Sequence, residues 1–354
     1  MKLLVLTQKV DLNDSNLGSF HAWLQRLSEQ VDHLYVVCLQ KGEDTLNTDK
    51  VTILSLGKER GAVSTVRYAA RFYAHLWRLR GEYDKVLVHM NPEYAIMGGL
   101  FWRLAGKKVL LWYTHKAVNL KLRLAEKFVT KIFTASKESF RLPSKKVEVV
   151  GHGVNMEEFA TQKWLRQLPN YREQILLLIA GRVAPSKDLE TPIRAVAALK
   201  HIEDIPPVFL DVIGSPILDV DYNYKEKLES FKKELHCAGN VRLNDSRSYQ
   251  QMSHVYQTHH ILIHTSRTGS MDKVVLEALA AGRIVVTSSE AYRHLDGSGF
   301  VFWFPPGGYQ ELANTIEKIY KAGILVPNQK AIEYVKKNHN LDTLVGKIMA
   351  YFSV

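Results

Sequence analysis

Thr268-Gly-Ser-Met-Asp-Lys-Val-Val-Leu-Glu277-Ala-Leu-Ala-Ala-Gly282-Arg-Ile-Val-Val-Thr287 reads as a polar turn, a short helix carrying one glutamate, a glycine stop and a buried strand. The turn at Gly269 and Ser270 presents backbone N–H groups at the helix start, where the helix dipole favours an anion. Val274, Val275, Leu276, Ala278 and Leu279 make most of the helix apolar, so Glu277 is a carboxylate entering packed surroundings. Such a carboxylate needs partners, and the hydroxyls of a ribose are suitable ones. Gly282 then stops the helix, and Ile284–Thr287 reads as a strand.

A second stretch, Ile179-Ala-Gly181-Arg182-Val-Ala-Pro-Ser-Lys187-Asp-Leu-Glu190, ends a buried strand at a glycine and follows it with two cations five residues apart. Ser186 or Asp188 is expected to cap the next helix, Leu189–Lys200. At the mouth of a sheet an arginine and a lysine suit a diphosphate, the first as a fork and the second as a point charge. In a third stretch, Val150-Gly-His-Gly-Val-Asn-Met-Glu-Glu-Phe159, Gly151 and Gly153 permit a tight turn after a strand, and Val154 and Phe159 are expected to anchor the following linker in a core.

Together these stretches resemble the signature segments of the GT4 glycosyltransferases, retaining enzymes with the two-domain GT-B fold. Their donor segment has the form Glu-Gly-Phe-Gly-Leu-x-x-Leu-Glu-Ala. Its second glutamate falls on Glu277 and its first on Gly269, with Asp272 as a substitute carboxylate three positions on. The family's Gly-Arg-x-x-x-x-Lys-Gly is matched by Gly181, Arg182 and Lys187, with Asp188 in the last place; the resemblance implies that both cations hold the donor's diphosphate. Residues 152–159 are similar to Asn-Gly-Val-Asp-x-x-x-Phe, with His152 and Asn155 standing for its Asn and Asp. Val241–Tyr249 is similar to Val-x-Phe-x-Gly-x-Val, whose main chain pairs with the nucleobase; Asp245 and Arg247 take its Gly and Val positions, and the base stays open. In the first half, the loop Asn13–Ser19 resembles the family's Gly-Gly loop and keeps Gly18. His115, after the strand Val109–Tyr113, takes the place of a histidine that contacts the donor sugar; His89, His21 and His152 are its rivals.

The resemblance therefore implies His115, Arg182, Lys187 and Asp272 as catalytic residues. Gly18, Gly181, Gly214, Arg247, Gly269, Ser270, Met271, Lys273 and Glu277 are implied as donor-binding. Asp219-Val-Asp221 has the form of a metal-binding Asp-x-Asp but reads as a pair of solvated loop acids, and His254, His259, His260 and His264 read as strand-end residues without zinc spacing. No metal and no cofactor is expected, because Arg182, Lys187 and helix N-termini can neutralise a leaving diphosphate. The expected donor is a UDP- or GDP-sugar, and the expected acceptor a lipid-linked molecule or a glycan. Two readings of other kinds stay open: a sugar-nucleotide epimerase, and a catalytically silent, membrane-associated nucleotide-binding protein.

A chain of 354 residues has room for two domains. Strands and helices alternate along it, which predicts an α/β fold of two Rossmann-like doubly wound domains facing across a cleft. The expected boundaries are a first domain over 1–156, a linker over 157–173, a donor domain over 174–335, and a final helix over 336–354 that crosses back to the first domain. Within the last part, Lys336–Phe352 is expected as one helix. The net charge of +11 is concentrated: residues 51–150 carry 19 Lys and Arg against 7 Asp and Glu, an excess of 12, so the remainder is close to neutral at −1. Inside that region residues 66–80 read as a helix with Phe72, Leu76 and Leu79 on one face and Arg67, Arg71 and Arg78 mostly elsewhere. Either a solvated face or an anionic membrane leaflet accounts for it. No nucleic-acid motif is present, and no nucleic-acid partner is expected. The start of the chain is too soon polar for a signal peptide, no window offers ~18 uninterrupted apolar residues, and Cys38 and Cys237 read as reduced core residues. These point to the cytoplasm, with peripheral attachment to the inner face of the cell membrane.

Overall fold

The computed structural model describes residues 1–61, 64–160 and 168–354. They form two compact units, one of Met1–Asn155 with His339–Val354 and one of Met156–Asn338. Residues 161–167 of the expected linker lie outside the described residues.

The first unit is built on seven strands: β1 (Lys2–Val10), β2 (His33–Lys41), β3 (Val51–Ser55), β4 (Lys85–His89), β5 (Lys108–Trp112), β6 (Lys131–Thr134) and β7 (Val147–Val149). Their order is β3-β2-β1-β4-β5-β6-β7 and all pairs are parallel. The near-continuous apolar run Leu3–Leu6 follows from this, because a parallel strand is covered on both faces. Leu3 and Val5 face a core shared with α1 (Gly18–Glu29) and α12 (Leu341–Ser353). Leu4 and Leu6 face the opposite core, made with α2 (Thr65–Arg78), α3 (Pro92–Leu104) and α4 (Leu120–Phe128). Phe72 and Leu76 supply the inward face of α2 and Leu79, its C-cap residue, joins the same core, as the helical spacing predicts.

The second unit repeats the plan with six parallel strands in the order β10-β9-β8-β11-β12-β13. They are β8 (Ile175–Ala180), β9 (Val208–Ile213), β10 (Val241–Asn244), β11 (Ile261–His264), β12 (Ile284–Thr287) and β13 (Val301–Trp303). One face packs on α6 (Glu190–Leu199), α7 (Asp219–Glu234) and α10 (Tyr309–Lys321). On β11 and β12 sits α9 (Lys273–Ala280), with α5 (Met156–Phe159), α8 (Tyr249–Thr258) and α11 (Gln329–Asn338) against it.

Several expectations need correcting. The single C-terminal helix is two: α11 ends at Asn338, and α12 restarts at Leu341 with the Asn340 side chain accepting from the Asp342 N–H. The break lets Val154 N–H donate to the His339 carbonyl (2.8 Å), inside the first unit. The expected linker begins with a helix, α5, because Phe159 is clamped edge-on between Tyr249 and Tyr256, with ring centroids 5.5 and 5.8 Å away. Neither Ser186 nor Asp188 caps α6; Leu189 holds the cap position without a side-chain bond, and Asp188, in left-handed backbone, pairs with Arg267 at 3.0 Å. β13 is a three-residue strand, too short for an alternation to show in sequence.

Candidate active site

In a doubly wound sheet, ligands bind beyond the carboxyl ends of the strands where the strand order reverses. That point lies between β8 and β11 in the second unit, and the residues leaving these strands are Gly181-Arg182 and Thr265-Ser266. The two loops are stitched together: the Thr265 hydroxyl donates to the Lys187 carbonyl (2.6 Å), and Arg267 N–H to the Ser186 carbonyl (2.9 Å). Gly181 has φ +124°, open to glycine alone, and a Cβ on Gly214 would lie 1.9 Å from the Gly181 carbonyl oxygen. Both glycines are therefore required for the ends of β8 and β9 to approach so closely.

Each expected cation is already paired. Arg182 Nε stands 3.1 Å from Asp221, a residue of zero exposure at the third position of α7. Asp221 is thus no solvated loop acid; Asp219, two residues earlier, is the exposed one. Lys187 Nζ donates to Asp272 Oδ2 at 2.7 Å and to the Ser266 hydroxyl at 3.2 Å. The same carboxylate oxygen lies 3.1 Å from His264 Nε2, while His264 Nδ1 is 3.0 Å from the Thr287 hydroxyl. Burial opposes ionisation of Asp272, but the bonds and charge from His264 and Lys187 outweigh it and hold the carboxyl well below the usual range. His264 is therefore more than a strand-end residue. Its neighbours His259 and His260 bond to Asp211 and to the Pro169 carbonyl, and His254 lies within α8.

One helix away, Glu277 is buried and accepts from the Tyr256 hydroxyl at 2.9 Å. Burial pushes its pKa up, partly offset by Lys273 one turn earlier and by Tyr256. Burial likewise pulls the Lys273 ammonium down to about 8 against the attraction of Glu277. Gly269 has φ +67°, and the loop around Ser270 and the buried Met271 leads into α9. Arg247 lines a cavity of about 420 Å³ with Ile213, Asn244, Gln251 and Val255, at the carboxyl ends of β9 and β10.

The structure thus brings Lys187 to Asp272, Gly181 to Gly214 and Lys273 to Glu277, all in the second unit. Gly18 and His115 belong to the first. Gly18 is buried as the first residue of α1, and its N–H donates to the Asp14 carbonyl (3.0 Å). His115 is exposed beyond β5, its Nδ1 accepting from Ala117 N–H at 3.1 Å. Two of its rivals are engaged elsewhere: His89 stacks on Phe20 at 3.7 Å, and His21 Nε2 accepts from Thr45 N–H. Asp221, His264 and Tyr256 escaped the sequence reading. Asp221 carried one usable signal, an acid at the third position of a helix, where it can cap.

The family model of the glycosyl transferases group 1 matches residues 160–338, half the chain, and covers the second-unit segments that carry Arg182, Lys187, Asp272 and Glu277 but not Gly18 or His115. The chain belongs to that family. Solved structures agree over the whole length. HepE of Anabaena in complex with UDP aligns with 17% identity over 100% of both chains, at a TM-score of 0.76. Sucrose-phosphate synthase of Thermosynechococcus elongatus aligns with 13% identity over 99% of this chain and 98% of its own, at 0.78. WaaG, a glycosyltransferase involved in lipopolysaccharide biosynthesis, aligns with 16% identity over 98% of both, at 0.66. At these identities the likeness is one of fold, and the fold is GT-B. No curated protein matches the sequence. Among the described residues no helix is long and apolar enough to cross a membrane.

Proposed function

We propose that this group 1 member is a retaining, metal-independent glycosyltransferase of the GT4 kind that takes a nucleotide-diphosphate sugar as donor. The observation that carries the reading is the pair Arg182 and Lys187 at the β8/β11 switch point, with a buried carboxylate, Glu277, one helix away. Arg182 and Lys187 stabilise the departing diphosphate, Glu277, held from behind by the Tyr256 hydroxyl, receives the ribose hydroxyls, and the cavity beside Arg247 takes the base. HepE was crystallised with UDP and with UDP-glucose, which makes a UDP-sugar the first donor to try. In the transfer, the bond from the anomeric carbon to the β-phosphate oxygen breaks as the acceptor hydroxyl attacks from the same face, and that phosphate oxygen takes the acceptor's proton. His115 and Asp272 are assigned to orienting the sugar, Asp272 while it holds Lys187. The test is turnover of UDP- and GDP-sugars by wild type, Lys187→Ala and Glu277→Ala. Released nucleoside diphosphate should fall at least tenfold in both variants. Donor binding without turnover in wild type would favour the silent reading, which Gly269 in the first glutamate position supports.

The acceptor is assigned to a membrane on a separate observation. Since α2, α3 and α4 all pack on one face of the first sheet, their outer sides form one surface. It exposes Val66, Tyr73, Trp77, Leu100, Leu104 and Leu120, set among the exposed Arg67, Arg78, Arg80, Arg103, Arg123 and Lys127. Arg80 lies over the Trp77 ring at 4.4 Å. A groove of about 380 Å³ along α4 is lined by Leu120, Leu124, Leu142 and Pro143 together with Arg123, Lys127 and Glu126. Glu126 is engaged by Lys146 and Ser144, and the two cations suit an anionic phospholipid. A lipid-linked acceptor, or a glycan presented at the cytoplasmic face of that membrane, follows.

A further inference from the structure

We infer that Asp221 is a positioning residue for donor binding: it fixes the Arg182 guanidinium so that one edge faces a diphosphate. The inference rests on the reading of Arg182 given above. Asp221 has no exposed surface, and its carboxylate would be costly there without donors. Four reach it. Oδ2 accepts from Ile217 N–H (3.1 Å), Leu218 N–H (3.0 Å) and Arg182 Nε (3.1 Å), and Oδ1 lies 3.5 Å from Arg182 Nη2. Two of these partners are the backbone just before α7, so the carboxylate is a helix cap first and cannot follow a mobile arginine.

The geometry decides which part of Arg182 remains available. A guanidinium offers two forks, one of Nε and Nη2 and one of Nη1 and Nη2. Asp221 occupies the first, and the second is left on a side chain that keeps 38% of its surface exposed. The loop that leads into α7 is in turn fastened to the loop carrying Arg182. Gly181 N–H donates to the Ile213 carbonyl (3.0 Å), and Gly214 touches the Gly181 carbonyl with no room for a Cβ. The close glycine contact, the buried acid and the exposed arginine therefore make one device, which presents a preorganised fork at the end of β8.

Charge alone predicts the opposite of positioning, and that separates the two accounts. A carboxylate beside Arg182 repels a diphosphate, so if it were only a counter-charge, its removal would tighten binding. Asp221→Asn keeps one oxygen for the two helix N–H groups and Nε, but turns an amide donor toward Nη2 and removes the charge that holds the fork. The probes are UDP and GDP, titrated calorimetrically into the full chain, with circular dichroism melting to monitor the fold. Asp221→Asn should weaken the better-bound nucleotide by on the order of tenfold, and by less than about twofold when Arg182→Ala is already present. Arg182→Lys, which leaves Asp221 intact, should bind as weakly as Arg182→Ala, because its single ammonium is captured by the carboxylate. Binding by Asp221→Asn that equals or exceeds wild type, an equal loss in the Arg182→Ala background, or wild-type affinity in Arg182→Lys would each overturn the role. If Arg182→Ala itself binds like wild type, the diphosphate reading falls and takes this inference with it. A weakened Arg182→Ala beside an unaffected Asp221→Asn removes the inference alone.

Discussion

Lys273 and Glu277 sit one turn apart on α9, and burial acts on both, pulling the lysine down to about 8 and the glutamate up. The lysine gives a pH dependence with a definite sign. Between about 8 and its ordinary 10.5 the unfolded chain holds a proton on this lysine that the folded one has released, so the lysine's own contribution to stability rises with pH across that window. Buried Cys38, Tyr83 and Tyr256, whose pKa values burial raises, pull the other way at the top of this window. The signal is therefore a difference: the urea midpoint of wild type relative to Lys273→Met should rise from about pH 7.5 to 10.5. A difference between the two proteins that stays constant or falls with pH would refute the assignment. Gly214 yields a steric prediction: Gly214→Ala forces a Cβ onto the Gly181 carbonyl and should cost about 1–3 kcal/mol. Unchanged melting of that variant would show that the β8–β9 loops separate easily. At this scale the sequence was readable where a residue type has one use, as with the arginine–lysine pair or Gly181. It was misleading where a side chain's partners come from afar. Asp221 looked solvated because Arg182 is 39 residues away, and His264 looked structural because Lys187, which shares its aspartate, is 77 residues earlier.

The helices differ in how much of their role their own periodicity carries. In α2 the inward face was legible from the spacing of Phe72, Leu76 and Leu79, and the same spacing places Val66, Tyr73 and Trp77 outside. What one helix could not reveal is that α3 and α4 lie in the same layer and widen the exposed patch. On this basis Trp77→Ala combined with Arg78→Glu should abolish co-sedimentation with vesicles of phosphatidylglycerol and phosphatidylcholine while leaving the melting curve unchanged. Wild-type binding that is equal for neutral and anionic vesicles would remove the electrostatic half of the account. The short α5 was hidden for another reason: four residues carry no period, and only the clamp of Tyr249 and Tyr256 on Phe159 makes it a helix. Phe159→Ala should therefore cost about 3–5 kcal/mol in the second unit.

Across the whole molecule, the α/β plan was legible because each parallel strand is a short apolar run between helices. The end of the chain was not, since the break at His339–Asn340 depends on a backbone pairing with Val154, more than 180 residues away. Residues His339–Val354 complete the first unit's core through Leu341, Leu344, Val345, Ile348 and Phe352. Ending the chain at Asn338 should thus unfold the first unit selectively, seen as loss of one calorimetric transition and rapid proteolysis within residues 1–155. The family match falls on the second unit, and the central claim is that this unit binds a nucleoside diphosphate through Arg182 and Lys187. Calorimetric titration of wild type and Arg182→Ala with UDP and GDP tests it most directly. One nucleotide should bind wild type at one per chain and Arg182→Ala at least tenfold more weakly. Equal affinity in the two proteins, or no binding of either nucleotide to wild type, would contradict the claim.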